Sequence, residues 1–91
     1  MKYYHGILEE NDGDHEHHYD YLIKEKSLEA ARQRLRVEAE SFYGSDVRRV
    51  GNESEGQVFE FFGGTIRVSA DSIGQTTKAQ FIKHMLQKCE L

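Results

Sequence analysis

Between Asp12 and Asp20 the chain reads DGDHEHHYD, three histidines and four carboxylates in nine residues. Histidine titrates near neutral pH and is the commonest protein metal ligand. Beside carboxylates, a neutral imidazole can bind a divalent cation and a protonated one can serve as a pH-sensitive charge. In an extended segment His15 and His17 fall on one side, with Asp12, Asp14, Glu16, His18 and Asp20 close by. If this tract held a metal, its ligands would be Asp14, His15, His17 and His18. Spacing argues otherwise. Structural zinc needs three or four converging ligands on rigid elements, and no CxxC or HExxH accompanies these residues. A calcium loop starting at Asp12 would need glycine at its sixth position and glutamate at its twelfth, where His17 and Ile23 stand. The tract therefore predicts a solvated acidic turn without a metal or other cofactor, and metal binding in the 12–20 loop is the alternative.

Other chemistry is weaker. Cys89 is expected on an apolar helix face, where a thiol is inert. No serine sits in a strand-turn-helix elbow. Gly63-Gly64 lacks the spaced glycines and the lysine of a phosphate loop. No catalytic residue is assigned, and the chain reads as a non-enzyme. Arg32, Arg34, Arg36, Arg48 and Arg49, with Lys24 and Lys26, offer a basic strip. The helix arginines at 32–36 fan over several faces, have glutamate neighbours, and lack the aromatic interleaving of an RNA-recognition motif. Direct nucleic-acid binding through them is the weaker alternative.

Composition sets the frame for these residues. Ninety-one residues make one domain, 1–91, with room for one modest core. The net charge is −4 and uneven: residues 1–20 carry one lysine against six acids, residues 21–50 seven basic groups against five acids. An overall pI near 5.7 disfavours generic binding to nucleic acid or anionic membrane. A single cysteine excludes an internal disulfide, and no apolar run approaches the length of a signal or transmembrane segment. These features predict a cytoplasmic protein without membrane contact.

The elements that must position the polar groups follow from periodicity. Residues 2–9 and 18–25 read as strands joined by the long acidic turn. Residues 27–43 predict a helix capped by Ser27, with Leu28, Ala31, Leu35, Ala39 and Phe42 on one face and Gly44 at its end. Arg34–Glu38 and Arg36–Glu40 can pair along it. Val47 to Val50 allows a short extra strand. Residues 57–62 and 65–70 predict a hairpin about Gly63-Gly64. Its register sets Phe61 against Ile66, Phe59 against Val68, and an exposed Glu60 against Arg67. A last helix from about Thr77 to Cys89 is capped by Thr76 or Thr77 and striped by Ile82, Met85, Leu86 and Cys89, with Phe81 beside them. The expected fold is α+β, an antiparallel sheet in the order ββαββα with two helices on one face.

That architecture leaves Val58 and Phe62 on an open sheet face beside acidic loops. Such a surface predicts a protein-binding module, its contacts made by Asp12, Asp14, Glu16, Asp20, Val58 and Phe62. The expected partner is a larger protein with a basic surface, with homodimerisation as a further option. In small size, acidity, absence of proline and lack of a catalytic signature, the chain is similar to phage- and mobile-element-encoded proteins that bind host machinery, such as anti-CRISPR proteins. That compositional resemblance implies an inhibitor or regulator.

Overall fold

Phe59, Phe61 and Val68 are fully buried, and the alternation that buries them organises the whole sheet. A computed structural model of the chain describes residues 1–44, 48–50 and 58–89, with 48–50, 71 and 89 described by backbone alone. Its strands are β1 (Lys2–Asn11), β2 (Glu16–Glu25), β3 (Arg48–Val50), β4 (Val58–Phe61) and β5 (Ile66–Thr76). Helix α1 (Leu28–Glu40) follows β2, and α2 (Lys78–Cys89) follows β5. The strand order is β2-β1-β5-β4-β3, every neighbouring pair antiparallel. The fold is thus a small α+β domain, with the short strand at 48–50 as its third.

The second hairpin has the register expected from its residues: Phe59 faces Val68, Glu60 faces Arg67 and Phe61 faces Ile66. The turn is longer than the two glycines. Phe62, Gly63 and Gly64 all take positive φ, at 53°, 68° and 93°. Glycine does so freely, whereas at Phe62 the left-handed backbone costs about 1 kcal/mol or more. One side-chain expectation fails here. Glu60 is buried rather than exposed, and its Oε2 accepts from Arg67 Nε at 3.1 Å.

Residues 4, 6, 8 and 10 of β1 point to one face, where Tyr4 and Leu8 join Ile23, Phe59, Phe61 and Val68 in the core. Helix α1 closes this face with Ala31, Leu35 and Ala39, three of the positions its periodicity selects. Ser27 caps it by accepting from Ala30 N at 3.1 Å. Phe42 and Leu28 lie at the margins, Leu28 exposed. Each large core side chain contributes roughly 1.5–3 kcal/mol through burial. Gly6 sits beneath Leu35, and a Cβ there would lie 3.0 Å from both of its methyl carbons. The close approach of α1 to β1 leaves no room for a Cβ at that point unless the Leu35 side chain shifts. Arg34 turns from the helix to Glu25 at 3.7 Å and to the Lys24 carbonyl at 3.3 Å.

The two helices do not share a face. Residues 3, 5, 7 and 9 of β1 point away from α1, and α2 lies over them through Phe81 and His84, which touch His5. Thr77 caps α2 by accepting from Gln80 N at 3.1 Å. Phe81, His84 and Met85 are half-buried, while Ile82 and Leu86 of the expected stripe are exposed at 50% and 63%. The side chain of Cys89 lies outside the described residues. A helix resting partly on histidine and lysine does not orient by hydrophobicity alone, so the apolar stripe misplaces its face.

Candidate functional site

Strand pairing sets Asp20 opposite Ile7, on the sheet face that also carries His5 and His18. The reversal from β5 into α2 brings His84 and Lys88, one helical turn apart, down onto that carboxylate. His5 Nε2 lies 2.6 Å and His84 Nε2 3.1 Å from Asp20 Oδ1, and Lys88 Nζ donates to Oδ2. The Asp20 side chain is 2% exposed, against 41% for those of His84 and Lys88. His5 is further fixed edge-on against Phe81, with ring centroids 5.1 Å apart, and against His84 at 4.7 Å. Burial would push the Asp20 carboxyl up, but hydrogen bonds from Lys88 and His5, with their charges, hold it at about 2. Asp20 is therefore a permanent anion at neutral pH.

An open cleft of about 260 Å³ lies beside this cluster, lined by Ile7, His18, Asp20, His84 and Lys88. Among the described residues, those that line the cleft carry a carboxylate, two imidazoles and an ammonium group. The cluster ties α2 to the sheet and offers ligand atoms to a cation.

The acidic tract is arranged differently from the expected long loop. Glu16, His17, His18 and Asp20 belong to β2, and the turn spans only Asp12–His15. Asp12 Oδ1 accepts from the amides of Asp14 at 3.0 Å and His15 at 2.7 Å. Those backbone hydrogen bonds lower the Asp12 pKa. His15 stacks with His17 at 6.2 Å, whereas His18 points to the opposite face, 3.7 Å from Glu9. Asp14, His15, His17 and His18 are not brought together as one ligand set, because alternation along β2 separates them. Among the described residues the grouped ligand atoms belong to His5, Asp20 and His84, all within 4.8 Å.

Of the predicted contact residues, Asp12, Asp14, Glu16 and Phe62 are exposed. Asp20 is not, since three partners enclose it, and Val58 is half-buried. Phe62 belongs to an aromatic string rather than to the open sheet face. Tyr19 meets Phe42 at 5.2 Å, Phe42 meets Tyr43 at 5.2 Å, and Tyr43 meets Phe62 at 5.4 Å. Tyr19 also donates to Glu10 Oε1 at 3.0 Å. Because Asn11 pairs with Arg67, the Asp12–His15 turn, the Phe62–Thr65 turn and the C-terminal end of α1 share one end of the sheet.

His5 and His84 escaped the sequence reading because each is isolated. The available signal was the i, i+4 spacing of His84 and Lys88 on a helix, which offers two groups to one acceptor but does not name it. Comparison with family models, with characterised proteins and with solved structures finds no match to this chain.

Proposed function

We propose that this chain is a non-enzymatic binding module that docks one end of its sheet onto a basic surface of a larger protein. The supporting observation is the shared placement of the acidic turn and the aromatic string at that end. Tyr43 and Phe62 are 37% and 49% exposed. Partly exposed aromatics supply contact area at small entropic cost, and they suit the centre of an interface. Asp12, Asp14 and Glu16 form the charged rim, whose field steers a basic partner into encounter. Covering such a surface would block its other ligands, the mode of an inhibitor or regulator and the role that the resemblance to phage- and mobile-element-encoded proteins implies.

The test is affinity capture with the full-length chain, followed by binding kinetics on the purified partner over a salt series. Binding should weaken steeply with salt and be lost when Tyr43 and Phe62 are both changed to alanine. A partner indifferent to salt and to both aromatic changes would remove this reading.

A further inference from the structure

We propose that His5, Asp20 and His84 form a binding site for one divalent transition-metal ion of the zinc class, bridging β1, β2 and α2. The site is distinct from the acidic turn. One ligand atom from each of His5, Asp20 and His84 lies within 4.8 Å of the other two, and it is Nε2 of each histidine that faces Asp20 Oδ1. Metal–ligand bonds of about 2.0–2.2 Å place tetrahedral ligands a little over 3 Å apart. The His84–Asp20 separation is 3.1 Å and the His5–Asp20 separation 2.6 Å, so a modest outward shift admits an ion. Two imidazoles with one carboxylate select zinc, copper or nickel over magnesium or calcium, which prefer oxygen alone.

The surroundings fit the same purpose. The Asp20 side chain is buried and held from two sides, by the imidazoles at Oδ1 and by Lys88 at Oδ2. Lys88 engages the other carboxylate oxygen, Oδ2, and leaves the Oδ1 side to the two imidazoles. His18 lines the same cleft and stands on the same strand face as Asp20, two residues away. It can supply a fourth ligand, or water can enter from the open side. The proximal charge of Lys88 repels a dication and limits the affinity, which distinguishes this site from a closed structural zinc centre. His84 comes from α2 and the other two ligands from the sheet, so the ion would clamp α2 onto β1 and β2.

The experiment uses the full-length chain, purified without a histidine tag and stripped with chelator, titrated with Zn²⁺ by calorimetry. One ion per chain is expected, with a rise in melting temperature that EDTA reverses. His5→Gln and His84→Gln should each weaken binding by about tenfold or more, while the pair His15→Gln, His17→Gln changes it less than about twofold. Circular dichroism establishes that each variant is folded. His84 is partly exposed, so His84→Gln retains the sheet and its core. Resonances of the His5 and His84 rings should shift on saturation. Absence of saturable Zn²⁺ binding overturns the site. So does binding that persists in the folded His5→Gln, His84→Gln double variant, or that disappears with His15 and His17.

Discussion

His84 Nε2 stands 3.1 Å from Asp20 Oδ1, across 64 residues of chain. That contact, with the Lys88 bond one turn further along α2, fixes how the last helix meets the sheet. Around it Phe81 and Met85 are only half-buried, and Ile82 and Leu86 face solvent. Helix α2 is therefore held by polar groups to an unusual degree, whereas α1 is held by apolar packing over Ala31, Leu35 and Ala39.

Replacing Asp20 by alanine should release α2 before it unfolds the domain. Amide exchange over residues 78–89 should accelerate while β1 and β5 remain protected, with a stability loss of about 1–3 kcal/mol. Asp20→Asn, which keeps an acceptor but loses the charge, should cost less. Unchanged exchange in α2 would show that Phe81 and Met85 suffice to dock it.

Gly6→Ala should destabilise the fold by roughly 1–3 kcal/mol, because the new methyl meets both Leu35 methyl carbons at 3.0 Å. Adding Leu35→Val removes part of that collision, so the double variant should be more stable than the sum of its single losses predicts. Urea unfolding of the four proteins measures the coupling directly. Strict additivity would place α1 farther from β1 than the structure does.

Phe61→Ala should cost about 3–5 kcal/mol and Phe61→Asp should abolish folding, since the ring is fully buried. Glu60→Lys should also be costly, at about 2 kcal/mol or more, because it sets a buried cation beside Arg67. An exposed cross-strand pair would lose under about 1 kcal/mol from the same change. The melting temperature of Glu60→Lys therefore distinguishes the buried arrangement from the open one.

The Tyr19 phenol is raised above its ordinary value of 10.0, first by its hydrogen bond to Glu10 and then by desolvation. A raised pKa means that the folded state favours the neutral phenol. The resulting stability is complete below about pH 10 and is lost as pH rises through the elevated value. Glu10→Gln should return the Tyr19 titration towards 10, visible as tyrosinate absorbance at lower pH. A titration unmoved by that substitution would refute the hydrogen bond as the main cause.

For the proposed interface, changing Asp12, Asp14 and Glu16 to Asn, Asn and Gln should slow association and flatten its salt dependence, since steering charges are screened beyond about 8 Å at physiological ionic strength. Phe62→Ala should mainly speed dissociation, by about tenfold or more, as expected for an anchoring ring. The opposite partition between the two rate constants would assign the roles wrongly.

What the sequence determined by itself is local. Ser27 and the four-residue spacing of Ala31, Leu35 and Ala39 specify α1, because capping and helical periodicity act within a few turns. Phe59, Phe61, Ile66 and Val68 specify the hairpin register, because a one-residue slip would turn every apolar side chain outward. Asp12, Asp14 and Glu16 are legible as exposed acids, since nothing apolar surrounds them. Only the tertiary structure decided that α1 and α2 take opposite faces, that Glu60 is buried, and that Asp20 leaves the acidic surface to join His5, His84 and Lys88. Those outcomes depend on strand order: β5 inserts beside β1 and carries α2 across the sheet. Periodicity records which side of an element is apolar, but the partners of an isolated histidine or carboxylate are set by contacts between segments distant in sequence.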